Sequence, residues 1–502
     1  MYLYLLIFLD IKPYWHNNLE FTFQFFIKCY LINHAIYSGV LMLFLKKIKI
    51  LSIYFITYFL VNFFSFSIVL ASDFTLDISV NEALKNSLEL KSQKYKLEAT
   101  KHSLDEAYSS KDWSSSLTST YNSSNKQSDG AGSYTNDDSI TSTVSLSKNI
   151  FDGGKSFEKY RIAKDNIKLN ELKLIKVEQE VILETIKAYL DVYTNQSVVR
   201  LRKRSLIRFK ENVSATKLKL QAGTVTPTVL AESEAKLAKA NYELILADGN
   251  LNKSISKFKS VTSFKTVPNN LKLPTVKFTI PNNEEEIIKI SSQKNINILI
   301  AKLEKDLANK NVELKRSENR PVFKFDLFAK DSQSSLSNSS SDYQSYGANL
   351  TFTSPLFYNK SSKNTIRRLD KLASASTVDL AEEYRQVKLN AISSFQNYQS
   401  AVAKTLASKS EKKSSLLALQ GIQKEAEFGI RTVLDVLEAE VDYLNGSTNL
   451  ITSEADEVYD LFYLRSIMGN LSLEDFGDQK TINFNLKNKE LNFEIFDRKT
   501  FN

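Results

Sequence analysis

The sequence predicts a mainly α-helical protein with a small β part, built from two copies of one unit of about 200 residues. First, residues 155–222 contain no glycine and no proline, so about 70 residues can form one helix of roughly 100 Å. Second, the apolar residues of this run recur at coiled-coil spacing. Third, Phe151 and Gly223, which bracket the run, return as Phe357 and Gly429, each 206 residues later.

Two apolar stripes follow the first long helix. Neighbouring members of the first stripe are 7, 4, 3 and 4 residues apart, which is the spacing of a helix face that packs on a partner helix. One stripe serves one partner, whereas two adjacent stripes indicate a helix held between neighbours in a wall or tube. The first stripe comprises Ile175, Ile182, Ile186, Tyr189 and Tyr193, and the second comprises Leu174, Val177, Val181, Ala188 and Val192.

The second copy contains a matching run without glycine or proline, over residues 356–420. Its length equals that of the first because two independent landmarks share one offset. It has an apolar stripe of its own, which predicts a second coiled-coil helix. The members of this stripe are Tyr384, Val387, Ala391, Phe395, Tyr398 and Val402.

Composition excludes several classes of function. The net charge is +9, but lysine and arginine alternate with aspartate and glutamate along the helices, which indicates solvated faces rather than a nucleic-acid groove. Cys29 is the single cysteine, and His102 is the one histidine after residue 71. These residues leave little for a metal site or a nucleophilic dyad, so we expect no cofactor and no enzymatic activity.

The N-terminal region resembles an export signal. Residues 1–41 are uneven in pattern, and we interpret them as an over-extended N-terminus. Residues 42–71 begin with Met42, continue with a lysine-rich segment and an uncharged apolar run, and end at Ala71. This order is typical of a secretory signal peptide. Because the apolar run is long, an uncleaved transmembrane anchor is the alternative.

Each copy is predicted to begin with a helix and two strands. The strands alternate between apolar and polar residues, and each pair is separated by a stretch rich in serine and asparagine that we interpret as a solvent loop. The first copy has a helix over 79–110, strands over 113–122 and 140–148, and a loop over 123–138. The second has a helix over 284–317, strands over 322–330 and 346–354, and a loop over 331–345.

The predicted domains follow from this repeat. They are residues 72–261 for the first repeat, 262–283 for a linker that crosses the surface, 284–470 for the second repeat and 471–502 for a polar C-terminal tail.

Both long helices end in a turn that leads into another helix. Gly223 and Thr224 form the first turn, and Pro227 suits the first position of a helix that runs to about residue 258. Gly429 and Ile430 form the second turn, before a helix that runs to about residue 467.

The two copies supply four strands in total. Four strands cannot close a membrane barrel, for which eight is the usual minimum, and open strand edges are not tolerated in lipid. The strands therefore associate with other copies of the chain or lie on the surface of a soluble protein.

Several motifs resemble the TolC-like outer-membrane efflux proteins. The likeness rests on Asn149-Ile150-Phe151-Asp152-Gly153-Gly154, on Ser354-Pro355-Leu356-Phe357, and on the segment from Phe428 to Leu437, together with the internal repeat. It covers about residues 75–470. The resemblance implies a homotrimer in which the strands form one shared 12-stranded transmembrane barrel and the helices form a periplasmic tunnel.

The same resemblance implies a function. It predicts a passive export duct in the outer membrane of a Gram-negative bacterium. The duct would act with a periplasmic adaptor and an inner-membrane pump of RND or ABC type, in tripartite efflux or type I secretion. Its partners would be further copies of the chain, the adaptor, the pump and lipid, and nucleic acid is not among them.

Roles for individual residues follow from the resemblance as well. Asp435 and Glu438 would project acidic rings into a periplasmic aperture, and Arg431 would take part in closed-state contacts. Gly223, Thr224, Gly429 and Ile430 would form hairpin tips that dock the adaptor. The strand-to-helix turns would comprise Phe151, Asp152, Gly153, Gly154, Pro355, Leu356 and Phe357.

The acidic pair also has a purely physical interpretation. Asp435 and Glu438 are three residues apart, so they share one face of a helix near its N-terminus. In an acidic ring, mutual repulsion would raise the pKa of some carboxyls above the usual range of aspartate. Alternatively, both side chains simply complement the helix dipole. Val229 stands where the second repeat has Asp435, and Ala426 stands where the best-known member of the family has a tyrosine latch, so the usual gating network does not transfer whole.

Two other classes of protein, a periplasmic adaptor and an enzyme, fit the sequence less well. A periplasmic coiled-coil adaptor would have long helices but a compact β-rich domain, whereas this sequence has short alternating hairpins before each long helix. An enzyme would require a nucleophile–base or metal constellation, which the pattern lacks.

Overall fold

The computed structural model describes residues 74–127, 134–276, 278–336, 339–357 and 360–476. Within them lie eight α-helices and four β-strands. The predicted over-extension and signal peptide, with Cys29, lie outside the described residues. The elements of the first copy are α1 (Leu76–Asn86), α2 (Leu88–Ser109), β1 (Ser114–Gln127), β2 (Tyr134–Phe151), α3 (Lys155–Gln221) and α4 (Pro227–Thr262). Those of the second copy are α5 (Glu284–Lys294), α6 (Ile296–Ser317), β3 (Val322–Leu336), β4 (Ser339–Thr353), α7 (Lys360–Glu427) and α8 (Val433–Ile467).

The two-fold repeat of long helices is confirmed. Helix α3 has 67 residues and α7 has 68, and neither contains a proline. Helix α7 continues through Gly421, beyond the predicted run over residues 356–420. Most residues of the predicted stripes of α3 are buried, with Ile182, Ile186 and Val192 fully inaccessible to solvent, while Ile175, Val177 and Tyr193 are partly buried. In α7, Val387, Ala391 and Phe395 are buried in the same way.

The single helices predicted for 79–110 and 284–317 are wrong, since each is broken into two. The breaks fall at Ser87 and Asn295, and in both copies they leave one helix of 11 residues and one of 22. The Ser87 side chain accepts a hydrogen bond from the backbone of Leu90, and that of Asn295 accepts one from Asn297. Each break residue is therefore the N-cap of the second helix, which is a favoured role for serine and asparagine.

The four strands form one antiparallel sheet in the order β1-β2-β3-β4. Strands β2 and β3 belong to different copies, so their pairing joins the two repeats. A register shift between Asn149 and Phe151 leaves Ile150 as a bulge at the end of β2.

The predicted polar loops over 123–138 and 331–345 are wrong, since most of these residues extend the strands. Strands β1 and β2 pair as far as Gln127 and Tyr134, and β3 and β4 pair as far as Leu336 and Ser339. Serine and threonine side chains bond across the ladder, as between Thr141 and Ser332 at 3.0 Å. Serine and asparagine suit the ends of these strands, where most side chains on both faces of the sheet are polar. The alternation of apolar residues did not reveal this extension, because it stops before the strands end.

The segment between α4 and α5 packs against α3 instead of crossing the surface freely. Leu271 is only 2% exposed and belongs to the main core. The Gln196 amide donates to Pro268 O at 2.7 Å and accepts from Leu271 N at 3.1 Å. The hydroxyl of Tyr189 donates to Lys272 O at 2.9 Å. Two polar side chains of α3 therefore hold the connection in place.

Two apolar cores stabilise the helices. The larger one joins α1, α3 and α4 with the segment before α5, and includes the buried Phe258. The smaller one lies between α5, α7 and the end of α8, around Ile287 and Phe395. Leu471 and Phe476 at the start of the predicted tail are buried in the larger core, and residues 477–502 lie outside the described residues.

Candidate functional site: the sheet, the turns and the hairpin tips

The first strand-to-helix turn is built around Asp152. Its carboxylate accepts hydrogen bonds from Gly154 N at 3.1 Å and from Ser156 N at 2.7 Å, and the Ser156 hydroxyl donates to it as well. These bonds satisfy backbone N–H groups that have no partner inside α3. Asp152 thus caps the longest helix of the first copy at the point where it leaves the sheet.

Backbone conformation and close packing explain the two glycines of this turn. Gly153 and Gly154 have φ values of 70° and 85°, in the left-handed region. A Cβ on Gly153 would lie 2.7 Å from Cβ of Arg320 and 2.8 Å from Ser317 O. Arg320 in turn donates from Nη1 to Gly153 O at 3.2 Å. The turn of the first copy is therefore fitted against the α6–β3 junction of the second.

The second strand-to-helix turn is exposed. Pro355 follows β4, and the side chains of Leu356 and Phe357 are 86% and 89% exposed. Sequence alone did not distinguish the packed first turn from the exposed second one, because their apolar residues match at the 206-residue offset.

Aromatic rings form a row across the base of the sheet. The rings of Phe151 and Phe323 have centroids 6.5 Å apart, and those of Phe323 and Phe352 are 4.7 Å apart. Next to them, Trp113 meets Phe325 edge-on at 6.1 Å. Such a row is typical of the zone where a sheet passes from lipid to water.

One face of the sheet is apolar above this row. Directly paired residues share a face, so Leu117, Val144, Ala329 and Tyr346 form one cross-strand row. A neighbouring row contains Leu146, Leu327 and Ala348. The next row beyond Val144 is polar and contains Ser142, Asp331 and Gln344. From the aromatic row at Phe323 to the row of Ala329 is six residues along β3, or about 20 Å at about 3.4 Å per residue.

The opposite face is polar and charged. Lys324 Nζ lies 2.8 Å from an Asp326 carboxylate oxygen, and the Ser147 hydroxyl donates to the same carboxylate. Lys330 donates to the Tyr343 hydroxyl at 2.7 Å. The sheet therefore separates an apolar face from a hydrogen-bonded polar face.

The hairpin tips at Gly223 and Gly429 have the same geometry. Both glycines have φ of 74° and have no neighbour within 4 Å of a built Cβ. Thr224 N donates to Lys219 O at 2.9 Å, and Ile430 N donates to Glu425 O at 2.9 Å. Each long helix thus ends in a glycine-centred C-terminal motif. The tips have no tertiary neighbour at the glycine, so their surface is free.

Asp435 lies in a capping box at the start of α8. Its carboxylate accepts from Thr432 N at 2.8 Å and from the Thr432 hydroxyl at 2.9 Å, while Asp435 N donates to that hydroxyl at 3.2 Å. Hydrogen bonds from the backbone and the hydroxyl of Thr432 lower the pKa of the Asp435 carboxyl, and the charges of Arg431 and Lys236 act in the same direction. Within one chain, this direction is opposite to the raised pKa expected for an acidic ring, because the capping bonds favour the charged form.

Arg431 and Glu438 have partners within the chain. Nε of Arg431 lies 2.9 Å from a Glu425 carboxylate oxygen, across the turn. Glu438 lies 3.1 Å from Nζ of Lys236, which belongs to the hairpin of the other copy. The structure therefore places Arg431, Asp435 and Glu438 near one tip, together with Lys236 of the first repeat, which sequence reasoning missed.

A second link between the hairpins was missed as well. Nη1 of Arg208 in α3 donates to both carboxylate oxygens of Glu440 in α8 at 2.9 Å, and the Glu440 side chain is only 3% exposed. A carboxylate on the apolar side of an amphipathic helix was the available signal, because Glu440 follows the buried Leu437 by three residues.

Two negative findings apply to the part of the chain that the structure describes. No helix there is both long and apolar enough to cross a membrane. No group of three or more histidine, cysteine, aspartate or glutamate side chains there is arranged to hold a metal ion.

Comparison with known proteins gives a consistent result. The chain is 22% identical over 336 residues to the outer membrane efflux protein BepC of Brucella suis, which covers 67% of this chain and 73% of that protein. It is 22% identical over 308 residues to the outer membrane protein TolC of Vibrio cholerae, covering 60% of this chain and 70% of the relative. The CmeC outer membrane channel of Campylobacter jejuni has the same fold, with a TM-score of 0.67 at 17% identity over 79% of this chain and 85% of that one.

A family-level match covers both repeats. The description of the matching family is outer membrane efflux protein, and the match spans residues 79–257 and 287–470. This is well over half of the chain, and it includes the sheet, both long helices and both tips. Of these relatives, BepC is described as an outer membrane efflux protein and CmeC as an outer membrane channel. The chain belongs to the outer membrane efflux protein family.

Proposed function

We propose that this protein is a passive export duct of the outer membrane, working as a homotrimer with a periplasmic adaptor and an inner-membrane pump. The observation that carries the proposal is the four-stranded sheet, which has one apolar face and is joined directly to helices of about 100 Å. In lipid such a sheet must close into a barrel. The polar opposite face would then line a water-filled lumen.

The sheet edges support closure between copies. Strands β1 and β4 are the two edges of the sheet, with 14 and 15 residues. Long edge strands are templates for pairing with another chain. If β4 of one chain pairs with β1 of the next chain, three chains form a barrel of 12 strands without an edge.

The helices also leave surface for another copy. Fewer residues of α7 than of α3 are buried within the chain, although the two helices have the same length. Several large apolar side chains on the outside of α7 are exposed, namely Leu372, Val378, Leu389, Leu406 and Leu417. Exposed apolar stripes on a long helix indicate a helical partner, and a second copy of the chain would supply one.

The hairpin tips would form the far end of the tunnel. Each tip ends a helix that begins at the sheet, so with the sheet in the membrane Gly223 and Gly429 would lie at the far end. Exposed Phe428 and Ile430 beside Gly429 offer an apolar contact for an adaptor. In a trimer, Asp435 and Glu438 would meet around the axis and attract cations. These sites, the export of a substrate and the N-terminal signal peptide are parts of the proposal.

Fractionation and conductance test the proposal. We expect the protein in the outer membrane, resistant to extraction with salt, and a trimer in native mass spectrometry. Replacing Asp435 and Glu438 together with alanine should lower cation selectivity in planar bilayers and remove block by trivalent cations added from the periplasmic side. Val229→Ala, at the matching position of the other tip, should do neither. A soluble periplasmic monomer would contradict the duct, and a double variant that conducts and is blocked like the wild type would contradict the acidic aperture.

A further inference from the structure

A lysine lies where the internal repeat has an acid. Lys236 in α4 corresponds at the 206-residue offset to Asp442 in α8. Its Nζ approaches the Glu438 carboxylate to 3.1 Å. The Lys236 side chain is 23% exposed, against 68% for Glu438. The aliphatic part of the lysine is therefore packed, and its ammonium group is held beside the more exposed carboxylate.

This contact changes the charge of the tip. Glu438 is compensated by Lys236, and Arg431 is compensated by Glu425 at 2.9 Å. Asp435 is bound by Thr432, which is neutral. Among these described groups, the net charge that remains is the carboxylate of Asp435.

The ammonium group also acts on Asp435. Lys236 is one of the positive charges that help to lower the pKa of the Asp435 carboxyl, after the hydrogen bonds from Thr432 and the charge of Arg431. Its field therefore reaches both carboxylates of the acidic pair. A single unit charge a few ångströms away changes the local concentration of a monovalent ion by about threefold to fivefold in water.

We propose that Lys236 is a specificity-determining residue of the aperture, which weakens its preference for cations by compensating Glu438. This inference rests on the proposed function, because it requires that the tips surround the export path. The aperture is then a ring of mixed charge rather than a purely acidic ring. Organic anions, which an acidic ring would repel, pass such a ring more readily, and multivalent cations bind to it more weakly.

Conductance measurements on the protein purified from outer membranes test the role of Lys236. The variants are Lys236→Gln and Lys236→Met, of which the second keeps the apolar stem. Each should raise the cation-to-anion permeability ratio in a potassium chloride gradient by about threefold. Each should also lower the concentration of hexamminecobalt(III) that blocks the channel from the periplasmic side.

A charge-compensated variant and a matched control complete the design. Lys236→Gln combined with Glu438→Gln restores the net charge and should return selectivity close to that of the wild type. Lys217→Gln removes an equal charge from the same hairpin, where Lys217 pairs with Glu234 at 3.1 Å, and should leave selectivity unchanged.

The outcomes separate this inference from the proposed function. If Lys236→Gln and Lys236→Met both match the wild type while Asp435→Asn lowers cation preference, the role of Lys236 is wrong and the aperture stands. If Lys217→Gln changes selectivity as much as Lys236→Gln, the effect is one of overall charge and the specific role is wrong. If Asp435→Asn also has no effect, the aperture proposal fails and the role of Lys236 fails with it.

Discussion

Nη1 of Arg208 donates to both carboxylate oxygens of Glu440 at 2.9 Å, and this ion pair joins the long helix of the first copy to the last helix of the second. Glu440 is 3% exposed, whereas Arg208 is 44% exposed. Removing the arginine leaves a buried carboxylate without compensation, while removing both charges does not.

Arg208→Met should accordingly destabilise the protein by about 2–3 kcal/mol, less than for a fully buried pair because the arginine is partly hydrated. The double variant with Glu440→Met should lose less than the two single variants together, with a coupling energy of about 1–3 kcal/mol. Chemical denaturation followed by circular dichroism measures these values. Arg385→Met, which breaks an exposed pair with Glu382 within α7, is the control and should cause no measurable change. Additive effects of Arg208→Met and Glu440→Met would contradict the coupling.

Substituting two glycines that share one backbone conformation distinguishes the cost of backbone strain from the cost of a steric clash. Gly153 and Gly223 have φ of 70° and 74°, but a Cβ would collide only at Gly153. Gly223→Ala should cost about 1–2 kcal/mol from the left-handed backbone alone. Gly153→Ala should cost about 2 kcal/mol more, because its Cβ meets Arg320 and Ser317. Equal losses in the free energy of unfolding would show that the contact of Gly153 with the second repeat relaxes without cost.

The two helix breaks allow a similar comparison. Ser87 only caps α2, whereas Asn295 caps α6 and also donates from Nδ2 to Ile467 O at 2.9 Å. Ser87→Ala should cost about 1 kcal/mol, and Asn295→Ala about 2 kcal/mol, since it loses a second hydrogen bond at a buried site. Asn295→Ser should keep the cap and lose only the bond to Ile467, so its stability should lie between that of the wild type and that of Asn295→Ala. A loss at Asn295 no larger than that at Ser87 would mean that the bond to Ile467 contributes nothing.

These contacts also show what the sequence could predict. The lengths of α3 and α7 were predictable because each lies between matching landmarks, with Phe151 or Phe357 before it and a turn glycine, Gly223 or Gly429, after it. The break at Ser87 was not, because serine is tolerated within helices and the break depends on packing at both sides. The extent of the strands was missed because serine and asparagine favour loops unless a partner strand supplies their hydrogen bonds.

The site was predictable only in part. Asp435 and Glu438 were found because they share one helix face near a glycine turn. Their partners were not found by the same reasoning, because Lys236 lies 202 residues away from Glu438 and only tertiary structure brings the two together. The capping bonds of Asp435 were available from the local sequence, since Thr432 precedes it by three residues.

Tyr189 predicts a dependence of stability on pH. Burial raises the pKa of its hydroxyl to about 12. A raised pKa means that this contribution to stability is complete below about pH 10 and is lost as the pH rises toward 12. Tyr189→Phe should cost about 1 kcal/mol at pH 8 from the lost hydrogen bond. Between pH 10 and 12 the wild type should lose stability faster than the variant, and parallel curves would contradict the assignment.

The sheet gives a prediction about lipid, in which neighbouring residues of β2 should behave in opposite ways. Val144 lies in the apolar row with Leu117 and Ala329, whereas Thr143 lies on the face of Lys330. In outer-membrane vesicles, Val144→Cys should react with a lipid-soluble maleimide and resist a water-soluble one, because in the proposed barrel its side chain would face hydrocarbon. Thr143→Cys should show the reverse pattern, because in that barrel its side chain would face the lumen.

The same experiment locates the upper border of the lipid. Asp331 shares the face of Val144 but lies one row beyond it, opposite Ser142, in the first polar row. A carboxylate facing hydrocarbon is costly, so this row should lie at or above the membrane surface. Asp331→Cys should therefore react with the water-soluble reagent added to intact cells, although it faces outward like Val144→Cys. Equal reaction of Val144→Cys and Thr143→Cys would show that the sheet is not embedded, and protection of Asp331→Cys would place the border farther along the strands, beyond the next row on this face, which contains Tyr121 and Ile140.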